Sequence, residues 1–168
     1  MQPRKFGIGQ SVRRVEDGRL LRGEGRYTAD VVPRGALTAI VLRSPHAHAS
    51  FPTPNVAAAR ALRGVRAVLT ARDIAHLGDL PCGAPMPDIS GKQMRLPPYP
   101  LLARDVVRHV GDAVALVVAD NEFIAREAAE KIEVAYTPFP AAASIESAMA
   151  PGAAIVWPEF STNLAFTQ

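Results

Sequence analysis

AVALVVAD, Ala113 to Asp120, is the most apolar run in the chain, and its reading decides the fold. A short apolar run bounded by turn-forming residues fits a strand buried on both faces, so we place the central strand here. Asp120 or Asn121 then caps a helix that runs to about Lys131, with Phe123, Ile124, Ala128 and Ile132 near one face. IEVAYTP, Ile132 to Pro138, follows at once as a further strand. The result is a strand, helix, strand unit.

The same alternation precedes it. ALTAIVLR, Ala36 to Arg43, combines an apolar run with branched residues and reads as a strand buried on at least one face, which Pro45 ends by removing a ladder donor. NVAAARAL, Asn55 to Leu62, is helical, with Thr53 or Asn55 as cap and Gly64 as C-terminal stop. The strand VRAVLT, Val65 to Thr70, comes next. Thr70 and Asp73 have capping-box spacing with Asp in place of Glu, and they open a short helix through Ile74 and Leu77. This order predicts an α+β single domain, a mixed sheet with packed helices.

Between the two halves lies a long irregular stretch, residues 78–100, punctuated by Pro81, Pro85, Pro87, Pro97, Pro98 and Pro100. Loops of this length inside a compact domain are uncommon and are generally disordered or shaped against something else. Order returns from Leu101 to Val110. Residues 1–30 show no sustained period and read as an extended arm that Leu20, Leu21 and Tyr27 pin to a core. Beyond Pro138 the chain is rich in Ala and Pro, with a short helix at Ser144 to Met149 and a strand-like ending, NLAFTQ.

Composition excludes several functions. The chain has 168 residues, 48% of them hydrophobic and 21% charged, which suits one domain with a real core. Its net charge of +3 comes from scattered arginines with acidic residues interleaved, and aromatic stacking partners are few, so nucleic-acid binding is not expected. Cys82 is the only cysteine, which rules out a disulfide framework or a cysteine-built zinc or iron-sulfur site within the chain. No apolar run is long enough for a membrane span, and MQPRKFGIGQ lacks the apolar core of a secretory signal. We expect a soluble, cytoplasmic protein.

Chemistry-bearing residues are sparse. His46 and His48, in RSPHAHAS (Arg43 to Ser50), would share a face on a strand and could ligate a metal together, but no third ligand stands in a recognisable pattern, and Pro45 breaks the strand. Histidines that tie down backbone groups at a strand end are the simpler account. Gly7-Ile8-Gly9 and Gly23-Glu24-Gly25 resemble pieces of a dinucleotide loop, yet neither follows an apolar strand nor opens a helix, so they read as turns. Glu16-Asp17 and Glu127-Glu130 sit in polar surroundings where nothing would raise a carboxylate pKa. Cys82 has no histidine near it in sequence to act as its base.

Five ordered blocks carry a more specific signal: VEDGRLLRGEGRYTAD (Val15 to Asp30), LRSPHAHA (Leu42 to Ala49), GVRAVLTARD (Gly64 to Asp73), LARDVVRHVGDAVALVVAD (Leu102 to Asp120) and AREAAEKIEVAYTPFPA (Ala125 to Ala141). In this order the chain resembles the N-terminal a/b hammerhead domain of the xanthine dehydrogenase and aldehyde oxidase family, in the branch of the molybdenum-binding large chain of carbon monoxide dehydrogenase. The match runs from about Gly7 to Asn163. Arg63-Gly64 stands where the family usually has Pro-Gly, and Asp112 where Glu is commoner, the latter a change of small consequence in a surface turn.

The resemblance implies an oxidoreductase that uses molybdopterin in its cytosine dinucleotide form, with FAD and 2Fe-2S clusters on partner domains or subunits. The expected partners are a molybdopterin-binding catalytic domain or subunit, an FAD-binding medium subunit and an iron-sulfur small subunit. The catalytic glutamate and the pterin-binding loops of the family lie downstream of the hammerhead. No catalytic, cofactor-binding or metal-ligating residue therefore carries over to a position in this chain. The implied organisation is an arm over 1–30, a hammerhead core over 31–140, and a segment over 141–168 leading toward the molybdopterin-binding domain. Arg43, His46 and His48 are then expected to fix a strand end at the seam with the catalytic domains. Two other readings stand beside this packing role: a free-standing binding or scaffold module with no redox role, and a small enzyme using His46, His48 or Cys82.

Overall fold

The computed structural model describes residues 13–167. The Gly7-Ile8-Gly9 stretch lies outside them. Two compact units divide between Ala36 and Leu37. In the first, residues 13–36, Asp17–Leu20 form one turn of helix, α1, and Thr28–Asp30 a 3₁₀ turn. Asp30 closes that turn by accepting the Tyr27 amide at 2.8 Å. Over the described residues 13–30 the chain is mostly turns and short helical segments, joined by irregular stretches, where sequence suggests an extended arm. Gly23-Glu24-Gly25 follows the first of them, where the Arg22 guanidinium holds Glu24 at 3.0 Å.

The second unit is built on β5, Ala113–Ala119, which pairs antiparallel with β1, Thr38–Arg43, on one side and with β3, Val65–Thr70, on the other. Val117 sits opposite Ile40 and Val68, at the middle of the sheet. Alternation along β5 divides its side chains between two cores. Ala115, Val117 and Ala119 face one cluster and Val114 faces another. This is why both alternating sets of the run are apolar.

The first core is closed by two helices. α2 spans Ala57–Arg60 and buries Ala59, while α3 spans Glu122–Glu130 and buries Ala125, Ala128 and Ala129. Positions i, i+3 and i+4 fall on one face, and alanine there lets the helix lie close to the sheet. Asn121 caps α3, its side-chain oxygen accepting the Ile124 amide at 3.0 Å. Phe123 does not share the buried face: it is two residues, about 200°, from Ala125 around the helix, and it is 77% exposed. The N-cap position of α2 is Val56, not Thr53 or Asn55; Asn55, one residue before it, accepts the Ala57 amide at 3.2 Å and turns the chain into the helix.

The second core lies under a smaller antiparallel sheet of order β4-β2-β6, from Val106–Val107, Ala49–Ser50 and Thr137–Pro138. Ala49, Phe51, Ala103, Val107 and Val114 form this cluster. Every strand pair is antiparallel and the pairs divide into two sheets, where sequence suggests one mixed sheet. Residues 132–138 explain the difference. Ile132 belongs to the first core and Tyr136 packs on the second, so the segment crosses between them and pairs only at Glu133 and at Thr137–Pro138. Pro138 is tolerated because β6 is an edge strand.

Two further turns are tighter than expected. After β3, Asp73 accepts the Thr70 amide at 2.7 Å and the Thr70 hydroxyl at 2.8 Å, which folds the chain into a turn and a 3₁₀ helix over Ala75–Leu77. Ser144 and Ser147 cap each other across the start of α4, Ile145–Met149.

The 78–100 stretch is pinned at its base. The Leu80 amide donates to the Tyr99 carbonyl at 2.8 Å, and Arg104 pairs with Asp79. Within it, Asp88 and Lys92 close a hairpin-like turn, and the final residues run alongside: the Ile89 amide donates to Thr167 at 2.9 Å and the Arg95 amide to Ala165 at 3.0 Å. Among the described residues no helix is long and apolar enough to cross a membrane.

Candidate functional site

RSPHAHAS forms a corner between the two sheets. The pairing of β1 with β5 slips between Leu42 and Arg43, and Pro45 and its neighbours leave the sheet. Ser44 is buried and works in both directions: its hydroxyl accepts the His46 amide at 3.0 Å and donates to the His46 carbonyl at 3.1 Å. Its amide donates to the Asp112 carbonyl and its carbonyl accepts from Gly111, each at 2.8 Å. The Arg43 guanidinium donates to the Gly111 carbonyl at 2.9 Å. Gly111 has φ of 92°, a conformation that favours glycine.

The histidines are engaged locally. His48 donates from Nδ1 to the Pro140 carbonyl at 3.2 Å, since a carbonyl can only accept, and its ring meets Phe139 edge-on at 5.1 Å. The His46 ring packs on Tyr136 at 4.8 Å. Burial pushes the Tyr136 phenol up, with the Ser44 hydroxyl pulling the other way. Among the described residues no group of three His, Cys, Asp or Glu side chains converges as a metal site would require.

The corner supports a second feature. It holds the 108–112 turn, whose side chains form one wall of an open groove of about 490 Å³. Prolines and apolar residues of the 80–100 stretch make the opposite wall, with Val156 and Trp157 beside them. Arg108 is the polar centre. Its guanidinium lies 3.6 Å from the centroid of the Trp157 ring and donates to the Val156 and Val106 carbonyls, each at 3.2 Å. Burial holds it below its ordinary pKa, and Asp105, Glu159 and Asp112 oppose that shift. Asp112 accepts the Arg108 amide at 3.0 Å and lies 3.8 Å from His109 Nδ1. It closes the turn with both its carboxylate and its carbonyl, a larger role than a solvated turn position would have.

Cys82 is exposed and lines this groove, as does His109. Sequence separation hid that neighbourhood. Arg43, His46 and His48 do not line the groove; they stand behind its wall. Arg108, Asp112 and Trp157 were missed as a group, because 48 residues part Arg108 from Val156 and only the folded chain joins them.

A molybdopterin dinucleotide needs donors for a diphosphate and a polar cradle for the pterin. The groove's arginine is already committed to Trp157 and two carbonyls, the wall opposite it is mainly proline, leucine and tyrosine, and the Asp112 carboxylate beside it would repel a diphosphate. These residues do not fit that group.

Comparison with known proteins bears on the rest. The family model "Aldehyde oxidase and xanthine dehydrogenase, a/b hammerhead domain" matches residues 22–140. The chain is 38% identical to the nicotine 6-hydroxylase large subunit of Paenarthrobacter nicotinovorans, over 74% of this chain and 15% of that one. It is 37% identical to the carbon monoxide dehydrogenase large chain of Afipia carboxidovorans, over 89% of this chain and 17% of that one. Among solved structures, quinoline 2-oxidoreductase from Pseudomonas putida 86 superposes with a TM-score of 0.78 at 42% identity, covering 94% of this chain and 20% of its counterpart. The chain therefore spans between a seventh and a fifth of the length of these proteins.

Proposed function

The chain belongs to the aldehyde oxidase and xanthine dehydrogenase family and forms its a/b hammerhead domain, and we propose from this that it packs and assembles a molybdenum-dependent oxidoreductase whose chemistry other domains perform. One observation carries the reading. The chain matches a family structure over 94% of its own length and 20% of that structure's, and the family model that it matches over 22–140 is the hammerhead domain. Its own groove does not fit the molybdopterin. That cofactor, in its cytosine dinucleotide form, is expected on the catalytic domain or subunit, with FAD and 2Fe-2S clusters on medium and small partners. The complex is expected in the cytoplasm.

Arg43, His46 and His48 belong to the seam in this reading. They hold it indirectly: Arg43 fixes the 111 carbonyl and Ser44 the 111–112 turn, while His48 fixes the Pro140 carbonyl beyond β6. Purification from the native source tests the proposal. Flavin and iron-sulfur absorption with molybdenum in the fractions that contain this chain is the expected result. A colourless, metal-free protein of the chain's own size would refute it.

A further inference from the structure

We propose that the rim of the groove, Leu80, Leu96 and Tyr99 with Trp157 at its floor, is the surface that docks the catalytic part of the large subunit. This rests on the assembly reading above.

Three observations select the surface and its occupant. The rim exposes large apolar side chains, with Leu80 and Leu96 each 45% and Tyr99 58% exposed, close together on one groove. An apolar cluster of that kind marks an interaction site. It is also held in place, because the Leu80 amide bonds to the Tyr99 carbonyl and Arg104 pairs with Asp79 below them. A pre-formed surface of this sort loses little entropy when covered.

Charge settles the kind of partner. Asp79 is paired to Arg104, Asp88 is closed on Ser90 and Lys92, Arg95 donates to the Leu164 carbonyl, and Arg108 is spent on Trp157 and two carbonyls. The side chains of Asp79, Asp88, Arg95 and Arg108 are thus engaged within the chain, and the exposed rim is apolar. Such a surface suits a neutral, apolar counterpart of the kind found in permanent interfaces, not an acidic peptide or a nucleic acid. In the quinoline 2-oxidoreductase structure the remaining four-fifths of the polypeptide is available as that counterpart.

The test places this whole chain into the large subunit of quinoline 2-oxidoreductase from Pseudomonas putida 86, in place of the segment it matches. Four versions are compared: unchanged, Leu96→Asp, Tyr99→Asp, and Phe123→Asp as a control on the exposed face of α3. Yield of the assembled, molybdenum-containing complex is measured by gel filtration and metal analysis. Circular dichroism and Trp157 fluorescence of the isolated variants confirm folding. We expect the unchanged and Phe123→Asp forms to assemble alike, and each rim variant to lose about thirtyfold or more, the effect of removing an interface hot spot. Cys82 in the assembled complex should react with a thiol reagent far more slowly than in the isolated chain.

Equal assembly by all four forms would overturn the surface and leave the assembly reading standing. Failure of the unchanged form would overturn both. Protection of Cys82 in the isolated chain that grows with its concentration would assign the groove to a second copy and overturn the proposal.

Discussion

Replacing Gly64 with alanine challenges the junction between β3 and α3 at a single Cβ. Gly64 has φ of 91°, and a Cβ there would lie 2.7 Å from Ile124 Cδ1 and 3.4 Å from the Asp120 carboxylate. Two costs add. A non-glycine residue held at positive φ loses about 1–2 kcal/mol. Ile124 must also leave its rotamer to make room, at about 0.5–1.5 kcal/mol. The backbone cannot relax far, because the Gly64 carbonyl accepts the Asp120 amide at 2.9 Å and Arg66 holds Asp120 at 2.5 Å. The sum is about 2–3 kcal/mol. With a urea m-value of about 2 kcal/mol per molar, the unfolding midpoint should fall by about 1 M at unchanged slope. Gly91→Ala provides the reference, since Gly91 has φ of 76° and nothing within 4 Å of its Cβ. It should show the conformational part alone, about 1–2 kcal/mol, a little over half the shift. Equal shifts for the two variants would refute the packing part, and no shift in Gly64→Ala would refute both.

Three other perturbations bear on the turns and the groove. Hydrogen bonds from the Thr70 amide and hydroxyl, more than Arg60, hold the Asp73 carboxyl below the ordinary range. A depressed folded pKa contributes stability that is present above the unfolded value, near 3.9, and is lost as pH falls through the folded one; Asp73→Asn should flatten the acid limb of a stability-versus-pH curve. Tyr136 has the opposite sign. Burial raises its pKa, so its contribution is intact below the unfolded value, near 10, and is lost as pH rises toward the folded one. Tyr136→Phe should remove that alkaline loss, and tyrosinate absorbance during a pH titration should show Tyr136 ionising above the ordinary tyrosine range. Arg108→Ala removes the cation over Trp157 and two bonds to carbonyls, and should cost about 1–2 kcal/mol. Trp157 is the only tryptophan, so a red shift of its fluorescence at native pH reads the same loss directly.

Local chemistry was legible in the sequence wherever a short segment decides its own structure. The apolar run 113–119 could only be covered on both faces, and the caps at Asn121 and Ser144 follow from side chains that reach their own backbone. Five ordered blocks also sufficed to place the chain in its family. Tertiary structure decided what depends on distant partners. Residues 132–138 have a strand's composition, yet they must serve two cores at once, which breaks the strand and separates the sheets. His46 and His48 have the spacing of a ligand pair, but Tyr136 and the Pro140 carbonyl, some ninety residues on, occupy them. The groove was invisible for the same reason. Its walls come from residues 80–112 and 156–157, and no local pattern records that Arg108 lies over Trp157. A residue's conformation is set largely by neighbours it cannot avoid, whereas a site is set by neighbours that only the completed packing brings near.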